Sequence, residues 1–459
     1  MAEQSGNVLG GVPVERIDAL RARETASFAR ARPLSRKASR DGLAHFAGGA
    51  PLHWMRDWPM PFLPVVAKAR GAKIVDIDGV RLDDFCLGDT GSMFGHSPPP
   101  VSRAIRKQAK RGLTYMLPSR EAIGLGAKLT DMFGLAQWQI ATTASDANRF
   151  ALRMARAVTG RPMILVFNGC YHGAVEATFV GLKDGRAVNK PGLAGQVRDL
   201  TEDAKVIEFN DPAALQAALA DRDVACVVAE PVMTNSSMVL PAPGFHAELR
   251  RITRETGTLL LIDETHTIST GRGGYTRAFG LEPDIFVLGK PVAGGVAASV
   301  WGFSAELAER WDAYSRAKPA GYSGIGTTLS ANPLQFAAMR ATLDEVMTAD
   351  NYAHMEKLAA RLEAGLAEQI ARAGLPWHVA RVGARVEFVC APGPLRNGAE
   401  AQAAHAPALE AAIHLALVNR GSLIAPFHNM MLVSPATKKR QVDRLVKSFG
   451  EICAELTTP

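Results

Sequence analysis

The stretch that decides the fold is Leu-Leu-Leu-Ile-Asp at 259–263, read together with Pro-Asp-Ile-Phe-Val-Leu-Gly-Lys at 283–290. Each is a short, continuous apolar run that is followed by a charged residue, Asp263 in the first and Lys290 in the second. Such runs are typical of strands that are buried on both faces of a parallel sheet. Ligands bind at the carboxyl ends of such strands, so we expect the carboxylate and the amine to lie in a functional site.

The same pattern continues on both sides of this stretch. Helical patterns occur between several of the apolar runs, at 146–159, 212–220 and 244–256. Strands that alternate with helices predict an α/β fold whose mostly parallel sheet is covered on both faces. The further apolar runs are 163–167, 224–229 and, more weakly, 298–303.

The pattern of predicted strands and helices changes near residues 95 and 335, which predicts three regions. Residues 1–95 are expected to supply an N-terminal helix and a small β element that joins the small domain. Residues 96–335 form the large domain, and 336–459 form the rest of a smaller α+β domain. Within these regions we expect disorder at 1–12, a helix at 14–32, a hairpin within 63–88, a helical stretch at 335–373, strands within 377–391, a polar loop at 392–406, and helices at 407–420 and 439–456.

Composition limits the class of protein. The chain has 459 residues, of which 47% are hydrophobic and 21% charged, with a formal charge of +7. These values are typical of a globular protein with more than one domain. Five scattered cysteines without a CxxC pair, no secretory signal and no apolar run of ~18 residues predict a cytoplasmic protein without membrane contact. The sequence has no basic stripe with interleaved aromatic residues, so we do not expect a nucleic-acid partner.

Two motifs of the large domain could serve an anionic, planar ligand. Thr143, Ala144 and Ser145 precede a helical pattern, where free N–H groups attract an anion; an ordinary helix cap is the alternative. Tyr171 follows the 163–167 strand and could stack on a planar ring. His172 could move a proton or could be hydrogen-bonded structure.

Three further motifs occur at predicted strand ends or turns. Asn235, in Ala-Glu-Pro-Val-Met-Thr-Asn at 229–235, could reach a ligand hydroxyl. Asp263, Glu264 and His266 could suggest a metal site, but neighbouring residues of a strand end point to opposite faces. We therefore predict no metal. The hydroxyls at 326–333 suit a phosphate, or simply a polar turn.

Lys290 and Asp263 are the pair that pyridoxal 5′-phosphate (PLP) chemistry needs. A lysine forms a Schiff base with the aldehyde of this cofactor, and an aspartate keeps its ring nitrogen protonated. The joint order of all the motifs resembles the class III aminotransferases of PLP fold type I, over roughly residues 60 to 450. Within that family the chain is similar to the branch of glutamate-1-semialdehyde aminomutase-like enzymes and amine or β-amino-acid transaminases.

The resemblance assigns roles to individual residues. Thr143, Ala144, Ser145 and Asp146 replace the family's Ser-Gly-Thr-Glu phosphate turn, and Thr265 replaces the usual valine behind the ring. Lys290, Asp263 and Tyr171 are the expected catalytic residues. The expected cofactor-binding residues are Thr143, Ala144, Ser145, Tyr171, His172, Asn235, Asp263, Thr265, Lys290 and Thr328.

The resemblance also implies an assembly and a domain structure. It implies a large domain with a mostly parallel seven-stranded sheet and a smaller α+β domain. It further implies a homodimer in which Thr328 reaches the phosphate of the neighbouring subunit's cofactor.

The activity favoured by the resemblance is ping-pong transamination. An amino group would move from an amine or amino-acid donor to a ketone, aldehyde or keto-acid acceptor. A glutamate-1-semialdehyde-type aminomutase, or another PLP isomerase, is the alternative on the same scaffold. A nucleotide-binding α/β protein is disfavoured because neither GxGxxG nor GxxxxGK[ST] occurs in the expected place. A catalytically inactive binding protein is disfavoured because Lys290, Asp263 and Tyr171 are all present.

Two loops, at 48–55 and 425–430, are candidates for substrate contact. Neither contains the arginine that binds a carboxylate bidentately. Their residues favour a roomy, apolar pocket for partly aromatic amines, although ordinary packing of the aromatic residues is the alternative. The candidate substrate residues are His53, Trp54, Trp58, Phe427 and His428.

Overall fold

A computed structural model describes residues 8–458 of the chain, which divide into two compact units. Unit 1 consists of the described residues within Met1–Pro98, Ala353–Pro394 and Ala404–Pro459. Unit 2 consists of Pro99–Tyr352 and Leu395–Ala403. Within residues 8–458, no helix has both the length and the apolar character needed to cross a bilayer.

The described residues form strands and helices, with short 3-10 and π-helical segments in several connections. The strands are β1 Val8–Leu9, β2 Val12–Pro13, β3 Val66–Arg70, β4 Lys73–Asp76, β5 Arg81–Asp84, β6 Gln137–Ala141, β7 Met163–Phe167, β8 Val180–Lys183, β9 Arg186–Asn189, β10 Ala204–Ile207, β11 Val224–Ala229, β12 Leu259–Asp263, β13 Ile285–Leu288, β14 Ser299–Phe303, β15 His378–Val382, β16 Arg385–Val389, β17 Ser422–Leu423 and β18 Met430–Leu432. The helices are α1 Val14–Ala31, α2 Pro33–Lys37, α3 Pro99–Ala109, α4 Arg120–Phe133, α5 Ala144–Thr159, α6 Pro212–Leu219, α7 Phe245–Thr256, α8 Gly274–Phe279, α9 Ala305–Ala317, α10 Pro333–Ala341, α11 Ala349–Arg372, α12 Gly398–Ala404, α13 Pro407–Asn419 and α14 Lys439–Thr457.

Unit 2 is built on the seven-stranded sheet that the family resemblance implies. Its strand order is β10-β7-β11-β12-β13-β14-β6. All neighbours from β10 to β13 are parallel, and β14 runs antiparallel to both β13 and β6. The α/β fold with a large, mostly parallel sheet is therefore confirmed. The register pairs Asp263 on β12 with Val287 on β13, so both strands end at the same edge.

Alternation of side chains along the strands gives this sheet two apolar layers. Leu259 and Leu261 of β12 belong to one buried cluster, whereas Leu260 and Ile262 belong to the other. Successive side chains of a strand point to opposite faces, and here both faces are covered. This double burial explains why the strands are continuous apolar runs.

The described part of unit 1 is an α+β unit with two small sheets besides the β1–β2 ladder. The larger sheet has the order β17-β5-β4-β3, and the smaller has the order β15-β16-β18. Helix α1 packs against α13 and α14. Arg32 and Asp76 form a fully buried ion pair whose Nε–Oδ2 distance is 3.0 Å, and the Arg32 guanidinium also lies over the ring of Phe28.

Several expectations about local structure were wrong. Residues 8–13 form a small antiparallel β-ladder instead of the expected disorder, while residues 1–7 lie outside the described part of the chain. The predicted polar loop at 392–406 contains α12. The predicted helical stretch at 335–373 is two helices, because a π-helical segment at Thr342–Val346 and a turn at Met347–Thr348 separate α10 from α11.

The boundary near residue 335 also differs from the units of the structure. Helix α10 packs against α3 and α4, both of which belong to unit 2. Unit 2 therefore continues to Tyr352. Strands β6 and β10 had no counterpart in the sequence prediction.

Candidate active site

The end of β12 and the residues after β13 form the centre of the site. Asp263 is the last residue of β12, and Lys290 follows β13 after a single glycine. The backbone of Lys290 has a φ of 43°, in the left-handed region that a side chain with a Cβ rarely adopts. Such strained positions concentrate at functional sites and cost about 1–3 kcal/mol.

Asp263 is a buried carboxylate with three donors. Its Oδ2 accepts from Asn148 Nδ2 at 2.9 Å and lies 3.0 Å from His172 Nδ1, and its Oδ1 accepts from the Thr265 backbone N–H at 3.1 Å. Burial acts to raise the pKa of Asp263, but the hydrogen bond and positive charge of His172 outweigh burial and hold that pKa below its usual value. The carboxylate is therefore kept ionised.

His172 is held in place as the partner of Asp263. Its side chain is buried, and its backbone carbonyl accepts a second hydrogen bond from Asn148 Nδ2 at 3.1 Å. Burial acts to lower the pKa of His172, but the Asp263 carboxylate and the Cys170 thiol raise it to about 10. An imidazolium beside a carboxylate stabilises the charge of both groups.

The N-terminus of α5 lies against the glycine that precedes Lys290. A Cβ built on Gly289 would lie 2.7 Å from the Cβ of Ala144. Thr143 is the N-cap, and its Oγ1 accepts from the Asp146 N–H at 3.1 Å. The Gly289 N–H donates to Thr265 Oγ1 at 3.2 Å. The predicted phosphate turn and the predicted cofactor lysine therefore converge.

The loop that follows β7 also contacts the N-terminus of α5. Ser145 Oγ accepts from the Ala174 N–H at 2.9 Å. Gly173 has a φ of 82°, and a Cβ there would lie 2.1 Å from Ser145 Oγ. Only glycine allows this approach.

A contact that sequence reasoning missed lies beside Lys290. Lys290 Nζ is 2.8 Å from His266 Nε2, and His266 is only 5% exposed. Asn148, which binds both Asp263 and His172, was also missed. Asn148 is buried with Ala147 and Phe150, whereas the sequence shows it only as one of two polar residues, with Arg149, between them.

Glu264 and Glu230 support the loops of the site. Glu264 accepts from the Thr267 hydroxyl at 2.6 Å and from the backbone of Tyr275 at 3.1 Å and of Thr276. Glu230 Oε2 accepts from the Thr234 hydroxyl at 2.5 Å. Burial raises the pKa of both glutamates. Asp263 and Glu264 thus bind separate sets of partners.

The remaining predicted cofactor residues lie in more open positions. Tyr171 is 51% exposed, Asn235 is half-buried next to Thr234, and Thr328 is exposed. In the same loop as Thr328, Ser330 Oγ lies 3.0 Å from Thr142 Oγ1 of its own chain. This loop therefore contacts the residue that directly precedes the predicted phosphate turn.

The predicted substrate residues all belong to unit 1. Trp54 and Phe427 are 38% and 48% exposed and form an edge-to-face pair with ring centroids 5.9 Å apart. Trp58 packs edge-on against His414 with ring centroids 6.0 Å apart. His428 Nδ1 lies 3.7 Å from Glu387 Oε1, and His53 is exposed.

Comparisons with known proteins found relatives that are similar over most of this chain. Residues 55–452 match the family described as aminotransferase class-III. The glutamate-1-semialdehyde 2,1-aminomutase of Thermomicrobium roseum is 33% identical over 400 residues, which cover 86% of this chain and 91% of that protein. A crystal structure of a glutamate-1-semialdehyde-aminomutase from Pseudomonas aeruginosa is 48% identical, has a TM-score of 0.95 and covers 97% of this chain and 100% of its own.

A more distant structural relative has a different described activity. It is an omega-transaminase from Sphaerobacter thermophilus, 26% identical with a TM-score of 0.84. The similarity covers 92% of this chain and 98% of that one.

Proposed function

The chain belongs to the class III aminotransferases, whose cofactor is PLP, and from that premise we propose that it is an aminomutase of the glutamate-1-semialdehyde type. It would exchange the amino group on C2 with the carbonyl oxygen on the neighbouring C1 of one molecule. The observation that carries the choice is the 48% identity, over 97% of the chain, to the Pseudomonas aeruginosa protein of that description. Relatives with the same description, 31–34% identical, support it.

The residues of unit 2 fit PLP as a resident cofactor. Lys290 supplies the amine that would hold it covalently, and the buried, ionised Asp263 would bind its ring nitrogen. The N-terminus of α5, with Thr143 and Ser145, would bind its phosphate. When bound, PLP supplies an electron-withdrawing ring that stabilises negative charge on the carbon bearing the amine.

The protein's own groups would carry out positioning and proton transfer. Lys290 Nζ would take a proton from one substrate carbon and return a proton to another. Asp263 would hold a negative charge at the ring nitrogen, because its pKa lies below the ordinary value. His172 and Asn148 would fix the direction of the Asp263 carboxylate through Oδ2.

A transaminase with separate donor and acceptor is the second candidate. Two observations favour it: the half-exposed aromatic pair Trp54 and Phe427, which would suit an aromatic amine, and the similarity to an omega-transaminase. The sequence motifs favoured this activity, whereas the names of the more similar relatives favour the aminomutase.

The two candidates differ in what they require besides substrate. Purified protein loaded with the cofactor would be given glutamate 1-semialdehyde alone, and the 5-amino-4-oxopentanoate formed would be counted per active site. The aminomutase proposal predicts many turnovers without any added amine or carbonyl compound. Absence of this product, with turnover of 1-phenylethylamine that depends on a keto-acid acceptor, would favour the transaminase instead.

A further inference from the structure

His266 lies where it can exchange a proton with Lys290. Its Nε2 is 2.8 Å from Lys290 Nζ, a normal hydrogen-bond distance. The side chain is only 5% exposed, so bulk water has little access to it. The position of His266 is fixed by the turn that it begins, since the 3-10 segment Thr267–Thr270 follows it directly.

That turn is anchored independently of Lys290. Glu264 accepts from the Thr267 hydroxyl, and the Tyr352 hydroxyl donates to the carbonyl of Ile268 at 3.1 Å. The Ile268 N–H donates to the Glu264 carbonyl at 2.9 Å. These contacts fix the backbone from which the imidazole reaches the lysine.

The chemistry of the two groups allows one proton to lie on either nitrogen. A lysine ammonium has only donors, so it requires a lone pair on His266 Nε2 and a proton on Nδ1. A neutral lysine amine has a lone pair of its own and can accept from an imidazolium N–H. A proton can therefore pass along the 2.8 Å contact without movement of either side chain.

The other ionisable groups near this contact have partners of their own. Asp263 binds Asn148 and His172, and Glu264 binds Thr267 and the α8 backbone. The Tyr352 hydroxyl donates to a carbonyl, and burial raises the pKa of the Tyr275 hydroxyl, so both tyrosines stay neutral. His266 Nε2 lies 2.8 Å from the lysine nitrogen, and the imidazole tautomer decides which of the two atoms donates.

We infer that His266 is a positioning residue that takes up and returns the proton of Lys290. The N–H bond of the lysine ammonium breaks, its electron pair stays on Nζ, and a new N–H bond forms at His266 Nε2. The neutral amine is the form that can attack a carbonyl carbon. This inference rests on the proposed role of Lys290 as the residue that holds the cofactor.

The test measures cofactor capture, which needs no substrate turnover. Apoprotein would be mixed with PLP, and growth of the visible band of the lysine-bound cofactor would be followed from about pH 5 to pH 9, a range that includes the titration of histidine. The variants are His266→Gln, whose amide oxygen can accept a hydrogen bond but not a proton, and His266→Met, which can do neither. Lys290→Ala is the control, and thermal unfolding would establish that each variant folds.

The inference predicts that His266→Gln slows capture on the order of 100-fold, within the usual range for a general acid–base group. The final amplitude of the band stays at the wild-type value, and the rate loses the ionisation that the wild-type profile shows. A His266→Gln variant with the wild-type rate and profile would overturn the inference, as would a wild-type profile without an ionisation in the histidine range. A visible band in Lys290→Ala would instead contradict the proposed function.

Discussion

At the residue scale, the two adjacent carboxylates at the end of β12 have opposite properties. Burial acts to raise the pKa of both Asp263 and Glu264. Asp263 faces the cationic His172, and its pKa ends below the ordinary value. The donors that the described residues give Glu264 are neutral groups of Thr267, Tyr275 and Thr276, and its pKa stays above the ordinary value. The pKa values of two neighbouring carboxylates are therefore shifted in opposite directions, and we propose that Asp263 serves the cofactor while Glu264 anchors the nearby loops.

Replacement of each carboxylate by its amide should separate these roles. We expect Asp263→Asn to lower the rate of amino-group transfer by about 10² to 10³-fold, the usual cost of removing one preorganised electrostatic contact. Glu264→Gln should keep most of the rate but lower the free energy of unfolding by about 1–3 kcal/mol, because buried donors lose an acceptor. Steady-state kinetics and denaturant unfolding would measure both; equal kinetic losses would contradict the division of roles.

The Asp263–His172 pair should also make stability depend on pH. The raised pKa of His172 means that its contribution is complete below its ordinary value of 6.5 and is lost as the pH rises towards about 10. The lowered pKa of Asp263 means that its contribution is complete above 3.8 and is lost in more acidic solution. The stabilisation that the pair contributes is therefore expected to be complete between pH 3.8 and pH 6.5.

His172→Gln is the variant that tests this dependence. The thermal midpoint of the wild-type apoprotein should fall relative to that of His172→Gln as the pH is raised from 6.5 to 10. Parallel curves for the two proteins over that range would show that His172 is not held as a cation in the folded state.

At the element scale, the site depends on how closely the β13 end approaches α5. Gly289→Ala should push the Lys290 backbone away from Ala144, because the added Cβ would lie 2.7 Å from the Ala144 Cβ. We expect at least about tenfold weaker binding of PLP, since a site displaced by about 1 Å loses its function. Gly271→Ala is the control, as Gly271 is extended and a Cβ there meets no atom within 4 Å.

A second change should rescue the first. Ala144→Gly removes the atom that the new Cβ meets, so the double variant should bind PLP more tightly than Gly289→Ala alone. Additive losses in the double variant would mean that the two positions act independently. Equilibrium titration of the visible band would measure each affinity.

Continuous apolar strands were the elements that the sequence predicted best. Strands β7, β11, β12 and β13 are buried on both faces and read as unbroken apolar runs. Edge strands β6 and β10 were missed because they are only partly buried and contain Gln137, Gln139 and Lys205. Alanine-rich α12 was missed because its short sequence lies among glycine and proline residues typical of a loop.

The residues of the candidate site that stand at the ends of apolar strands could be predicted, whereas the contacts that depend on a turn or on the rotation of a helix could not. Asp263 and Lys290 stand at strand ends, so the order of elements alone places them at one edge of the sheet. The contact of Lys290 with His266 could not be predicted, because it depends on the turn that Glu264 holds. The partnership of Asn148 with Asp263 depends on the rotation of α5 about its axis, and the sequence does not single out Asn148 from polar neighbours such as Asp146 and Arg149.

At the scale of the whole molecule, the proposed homodimer makes a prediction about complementation. Thr328→Asp would place a negative charge near the phosphate of the neighbouring subunit's cofactor, and Lys290→Ala would remove the amine of its own subunit. We expect each variant alone to be inactive. A mixed dimer of the two should contain one intact site, built from the unmodified Lys290 and the unmodified Thr328 on different chains.

Random mixing of the two variants makes about half of the dimers mixed, each with one of its two sites intact. Activity should then rise to about a quarter of the wild-type value. Thr328 serving a site in its own chain would give no recovery, because every site would then contain one of the two changes. Co-refolding of the two inactive variants, followed by size-exclusion chromatography and an activity assay, would decide.

The central claim is that Lys290 holds PLP in a class III aminotransferase site, and reductive trapping tests it most directly. The protein with bound cofactor would be treated with borohydride, digested, and analysed by mass spectrometry for the lysine that carries the reduced cofactor. The account predicts the added mass on Lys290 and its loss in Lys290→Ala. The mass on another lysine of the wild-type protein, with Lys290 unmodified, would contradict it.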